Sequence, residues 1–204
     1  MRSDNETGKS LTRTQRARRE DILNAAIAVL DQEGVTAASV DRIAKEAGTS
    51  KGTVLYHFKT KEAVYQAVVE ALFREGGAYM TERIMAQPTR RAMLREYLAS
   101  NLRFIAANKK HVNAVHKIQE GYGTADHPDA AAPLTQLLTS GQAAGEFGAF
   151  DAGVMALAIR AVVDGASYTF TAHPELDTEH GIREVVQIFE KATAPEGRPQ
   201  GGTL

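Results

Sequence analysis

Apolar residues recur at helical spacing along most of the chain. Ile22, Ala25, Ala26, Val29 and Leu30 form one stripe over 16–33, and Gly34 follows as a stop. Val40, Ile43, Ala44 and Ala47 form a second, short stripe that Ser39 can cap, because its hydroxyl accepts a bond from an otherwise unpaired backbone N–H. Gly48 ends that stripe cheaply. Ser50 caps a third helix that turns Val54, Leu55 and Phe58 inward, and Thr60 caps a fourth carrying Val64, Ala67, Val68, Ala71 and Leu72. Gly76-Gly77 predicts a weakening or bend near the end of the fourth. Pro88 suits the start of a long helix to about 108, with Leu94, Leu98, Leu102 and Ile105 inside. Shorter helices are expected over 110–119 and 133–144, separated by a Gly/Asp/Pro loop at 121–128. The stretch 151–172 is apolar around much of its circumference, which predicts burial on several sides. Ile182, Val185, Val186 and Phe189 mark a last amphipathic helix. No useful run alternates as a strand does. The expected fold class is all-α, with about nine helices.

The ends read differently. Residues 1–12 are polar and without period, and 195–204 are rich in Pro and Gly, so both are expected to be disordered. The 204 residues contain no Cys, which excludes a disulfide framework and a thiolate metal site. His111 and His116 are five apart, off the spacing that puts two ligands on one helix face, so no metal and no cofactor is expected. No Gly-x-Ser-x-Gly elbow, P-loop or His-Glu-x-x-His occurs, so an enzyme is not expected. No apolar run approaches the roughly 20 residues that span a bilayer. A cytoplasmic protein with no membrane partner is the expectation.

Net charge is -1, which on its own argues against a nucleic-acid partner. Its distribution changes the picture. Residues 1–61 hold eleven Lys and Arg against eight Asp and Glu, while the remainder holds thirteen against seventeen. The basic excess therefore coincides with the two short helices that meet at Gly48. The second of these starts small and polar, with Thr49, Ser50, Lys51, Gly52 and Thr53. A helix end that enters the major groove needs small residues at its tip, and Gly52 costs about 1 kcal/mol of helix propensity relative to Ala. Lys51 can reach a guanine edge or a phosphate, and Thr53 a base edge or a thymine methyl. Tyr56 and His57 lie a turn further on, within reach of backbone phosphates. Lys61 gains nothing from the dipole of the helix it begins, which favours a phosphate contact. Taken singly, Tyr56, His57 and Lys61 equally describe packing or solvated side chains; the joint pattern carries the reading.

The stretch 36–61 resembles the DNA-binding domain of the TetR family of bacterial transcriptional regulators. Ile43-Ala44, Ala47-Gly48, Ser50-Lys51-Gly52-Thr53, Tyr56-His57-Phe58 and Lys59-Thr60-Lys61-Glu62 carry the resemblance, and the helix over 16–33 fits the family's first. The resemblance implies a helix-turn-helix DNA-binding domain over 13–60 and an effector-binding and dimerisation domain over 61–194. It also implies a homodimer through the last two long helices, a double-stranded DNA operator and a small-molecule effector that releases it. By the same analogy Thr36, Tyr56, His57 and Lys61 contact phosphate, and Thr49, Lys51, Gly52 and Thr53 lie at base edges with Ser50 beside them. Leu55 departs from the pattern, standing where many members carry an aromatic; it packs inward or meets a thymine methyl.

The expected function is a ligand-responsive regulator, a repressor before an activator. The alternative is an all-helical interaction protein that keeps the fold without operator binding. Residues after 77 say less. Phe73, Arg103, Phe104, His116, Tyr122, Arg160, Asp164 and Tyr168 are the candidate pocket liners, as apolar or aromatic residues beside lone polar groups. Arg160 and Asp164, four apart, also describe an ordinary ion pair, and His116 a hydrogen-bonded core histidine.

Overall fold

The computed structural model describes residues 12–123, 131–173 and 175–195. Among them run nine α-helices and no strand: α1 (Arg13–Ala37), α2 (Val40–Glu46), α3 (Lys51–Phe58), α4 (Lys61–Met85), α5 (Arg90–Ala107), α6 (Lys109–Tyr122), α7 (Ala132–Ala143), α8 (Ala152–Ala172) and α9 (Thr178–Ala192). Of the ends expected to be disordered, 1–12 and 195–204, all but Thr12 and Pro195 lie outside the described residues, as does most of the 121–128 loop; Thr12 caps α1 instead.

Local chemistry sets most boundaries. Ser39, Ser50 and Thr60 accept bonds from Arg42, Thr53 and Ala63 N–H, as their hydroxyls predict. The first helix starts earlier than its apolar stripe, at a reciprocal cap. Thr12 Oγ1 accepts from Gln15 N, and Gln15 Oε1 accepts from Thr12 N. Gly34 breaks α1 with φ 76° and ψ 177°, after which one more turn reaches Ala37. Thr89, not Pro88, caps α5. Gly76-Gly77 leaves α4 continuous to Met85. Gly76 is small for packing reasons, since a Cβ there would sit 3.0 Å from a ring carbon of Phe104.

One core joins α1, α2, α3 and α4 to α6, with Ile22, Leu30, Ile43, Val54, Val68 and Val115 all buried in it. The N-terminal helices therefore do not close on themselves. Lys117 Nζ donates to Asp31 O at 2.7 Å, and Asn113 Nδ2 donates to Asp31 Oδ1 at 2.6 Å, tying α6 to α1. His111 Nε2 donates to Val68 O at 2.8 Å and ties α6 to α4. A second core gathers α5, α7, α8 and α9 around Leu94, Leu98, Leu138, Ile159 and Phe189.

The α8 expectation needs correction. Ala156, Ile159, Val163, Ser167 and Phe170 are buried, but Val154 and Leu157 on the opposite side are 64% and 63% exposed. Ala158, Ala161, Val162 and Gly165 continue that exposed side. The apolar circumference is half core and half open surface in the single chain.

Candidate nucleic-acid interface

Two helices and a tight turn build the site. Beyond α2, Thr49 N donates to Ala44 O at 2.9 Å and Gly48 N to Lys45 O at 3.2 Å. This paired arrangement requires a left-handed residue between them, and Gly48 supplies it at φ 59°. The turn sends α3 away from α2 with its N-terminus open. Val54 and Phe58 are buried and hold α3 down, while Lys51 and Gly52 face solvent. Leu55 is half-buried, so it is neither a core residue like Val54 nor a free tip residue.

Gly52 has no internal reason to be glycine. An added Cβ would meet only Ser50 Oγ, at an ordinary 3.7 Å. Ser50 Oγ and Thr53 Oγ1 lie 2.9 Å apart, so the small polar tip is ordered within itself. Lys51 Nζ pairs with Asp41 Oδ2 at 2.8 Å, and both side chains are exposed. Such a pair is worth about 0–1 kcal/mol, so Lys51 can exchange its partner at little cost.

The far end of α3 is clamped by α1. Arg19 Nη1 donates to His57 O at 2.9 Å, and its guanidinium lies 4.0 Å over the Phe58 ring. Gln15 Nε2 donates to the Tyr56 hydroxyl at 3.3 Å. The Tyr56 side chain is nonetheless 62% exposed, which is unusual for a large aromatic residue with a core nearby. Burial, with the charges of Arg19 and Arg18 in support, holds the His57 imidazole below its ordinary value. That shift favours the neutral ring.

Lys61 opens α4, with its Nζ 5.5 Å from the Tyr65 ring and 5.9 Å from the Tyr122 ring. Among the described residues it makes no hydrogen bond or ion pair, so all three N–H donors remain available. Tyr65 is itself fixed, its hydroxyl donating to Ala38 O at 2.7 Å. Burial pushes that phenol up to about 12. Thr36 is exposed at the end of α1, and Thr49 is half-buried in the turn. Thr36, Lys51, Gly52, Tyr56 and Lys61 are thus spread along a short stretch of chain whose backbone is held by α1 and α4. Gln15, Arg19 and Asp41, which sequence reading did not assign to the site, support or neutralise that surface; nothing local in the sequence pairs them with residues 10 to 41 positions away.

The eight expected pocket residues do not converge. His116, Arg160, Asp164 and Tyr168 share the α6–α8 junction. There the His116 ring stacks on Tyr168 at 3.8 Å, its Nε2 lies 2.9 Å from Ser167 Oγ, and Arg160 pairs with Asp164 at 2.8 Å. Arg103 pairs with Glu179 of α9 at 3.1 Å. Phe104 packs on Tyr79, Tyr122 on Tyr65, and Phe73 is half exposed on α4. Open clefts lie elsewhere, one between α4, α5 and α7 and one beside Phe147 and Pro195, and none of the eight lines either. Among the described residues no group of three or more His, Cys, Asp or Glu could hold a metal, and no helix is long and apolar enough to cross a membrane.

Comparison with known proteins places this geometry. Residues 22–68, which run from the core of α1 through the turn into α4, match the sequence model of the bacterial regulatory proteins of the tetR family. An HTH-type transcriptional regulator of Bacillus subtilis strain 168, YvdT, is 43% identical over 53 residues, which is 26% of this chain and 27% of that protein. The regulator SrpR of Pseudomonas putida is 43% identical over 51 residues, 25% of this chain and 24% of that protein. The chain thus matches about a quarter of the length of these curated relatives. A solved regulatory protein of the tetR family from Rhodococcus RHA1 superposes with a TM-score of 0.76 over 88% of this chain and 98% of its own, at 21% identity, so the likeness there is one of fold. The family's sequence signature thus covers the helix-turn-helix region, residues 22–68, and over the rest of the chain the likeness to a solved tetR-family protein is one of fold.

Proposed function

We propose that the protein is a transcriptional repressor that binds a palindromic DNA operator as a homodimer and releases it when a small molecule binds. The observation that carries this reading is the tip of α3. Lys51, Gly52 and Thr53 stand exposed or half-exposed at a helix start, with a glycine that nothing inside the protein requires. A helix tip of that kind suits close approach to base pairs. Thr49, Lys51, Gly52 and Thr53 are assigned to base edges, with Ser50 and Leu55 alongside. Thr36, Tyr56, His57 and Lys61 are assigned to phosphate.

Lys61 fits that role through its geometry. Two ring faces hold its ammonium in place without consuming its N–H donors. Asp41 competes with DNA for Lys51, which suits an interface that must also let go. The exposed side of α8 supports the dimer. Val154, Leu157 and Val162 form an apolar surface, and Ala158, Ala161 and Gly165 let a partner helix come close. Ile188 on α9 is likewise an exposed apolar side chain. The effector acts by binding one spacing of the two reading heads better than the other, and such coupling is typically about 1–3 kcal/mol.

Selection of bound duplexes from a random pool tests the reading. The expected product is a two-fold symmetric sequence with half-sites about one helical turn apart. A pool that returns no enriched sequence leaves an all-helical interaction protein as the better description.

A further inference from the structure

The cleft between α4, α5 and α7 measures about 530 Å³. Small-molecule sites span roughly 300–1,000 Å³. Met80, Met85 and Met93 line it, three of the chain's five methionines, together with Ile84, Leu134 and Leu137. Unbranched, polarizable thioethers adapt to a flexible aliphatic ligand better than rigid side chains do.

Arg90 is the charged residue among the lining ones. Its guanidinium donates to Met93 Sδ at 3.1 Å, a weak acceptor, and pairs with no carboxylate among the described residues. The carboxylate of Glu146 reaches this end of α5 but accepts the Arg91 N–H, at 3.1 Å. Arg90 also stands on the first turn of α5, which carries no acid and where the helix dipole disfavours a cation. Among the described residues, a half-buried guanidinium so placed has no anion of the kind its planar fork fits best.

We propose that this cleft binds an amphipathic monoanion, an unbranched aliphatic carboxylate. The chain lies among the methionines and the carboxylate sits on Arg90. The inference rests on the reading of the protein as a ligand-responsive regulator, and it names the chemistry of the ligand.

Calorimetric titration of the full chain without DNA tests it, using decanoate, decanol and decyltrimethylammonium below their micelle concentrations. Two variants accompany the wild type. Arg90→Gln removes the charge. Gly77→Leu narrows the cleft at a lining position where an added Cβ would meet nothing within 4 Å, and its melting temperature is measured alongside. Decanoate is expected to bind at least about tenfold more tightly than either other probe. Arg90→Gln should abolish that preference, and Gly77→Leu should weaken all binding. Absence of decanoate binding, equal binding of decanol or the ammonium probe, or unchanged decanoate binding by Arg90→Gln overturns the proposal. Because DNA is absent, the two readings fail separately. A chain that binds an operator but not decanoate loses only the ligand assignment; one that binds decanoate but no duplex loses the regulator reading.

Discussion

At Gly52 the needs of folding and of DNA binding oppose each other. The position is helical and open, so alanine removes unfolded-state entropy without a clash. Gly52→Ala should raise unfolding free energy by about 0.5–1 kcal/mol in a denaturant titration while weakening operator binding. A variant that gains in both would show that the tip does not approach the duplex. Asp41 is the second informative residue. Asp41→Asn removes the carboxylate that holds Lys51, at a cost of about 0.3–1 kcal/mol in the first turn of α2. DNA affinity at low salt should rise several-fold, and a fall would place Lys51 outside the interface. At Lys61 the readout is ionic strength: Lys61→Ala should reduce the salt slope of binding by about one unit. An unchanged slope would confine Lys61 to its contacts with Tyr65 and Tyr122.

Between elements, α1 decides where α3 sits. Arg19 satisfies a carbonyl at the end of α3 and covers Phe58 with its guanidinium. Arg19→Ala should cost about 1–2 kcal/mol of stability by thermal or chemical unfolding, from the lost charged hydrogen bond and ring contact. No measurable loss would mean that Val54 and Phe58 alone hold the helix. Helices and caps were readable from sequence because a cap is a contact between near neighbours, as at Ser39, Ser50 and Thr60. The Arg19–His57 bond joins residues 38 positions apart, and periodicity carries no information about such pairs. The same limit explains the scattered pocket candidates. Phe73, Arg103, His116 and Tyr122 looked alike as polar or aromatic interruptions, but whether such residues share a cavity depends on how α4, α5, α6 and α8 pack. The cleft-lining methionines gave no signal, since methionine at helical spacing reads as core.

For the molecule as a whole, the open side of α8 is the main question. Sequence shows that both sides are apolar but not that one of them lies open in the single chain. Leu157→Glu places a charge in that surface without touching the core behind it, where Ile159 and Val163 are buried. Sedimentation velocity should show a dimer for the wild type and a monomer for the variant, with operator binding lost alongside. The α6–α8 junction adds a pH dependence. Burial is the main cause that holds His116 below its ordinary value, although Glu120 and Asp164 pull it upward. The unfolded chain therefore takes up the proton more readily, so the stabilisation is complete above about pH 6.5 and is lost as pH falls through the folded value. His57, lowered in the same direction, adds to the slope. The melting temperature should fall on acidification from about pH 7.5 to 5.5, less steeply for His116→Gln than for the wild type. Parallel curves would remove His116 from the explanation.

The tip of α3 is tested most directly by anisotropy titration of a selected duplex and a scrambled one, at low and moderate salt, with wild type and Gly52→Leu. The wild type should prefer the selected duplex by about 4 kcal/mol or more and lose affinity steeply with salt. Gly52→Leu, at a position where an added Cβ meets only Ser50 Oγ at 3.7 Å, should stay folded and lose that preference. Equal binding of both duplexes by the wild type, or an unchanged preference in Gly52→Leu, would contradict insertion of this helix end into the groove.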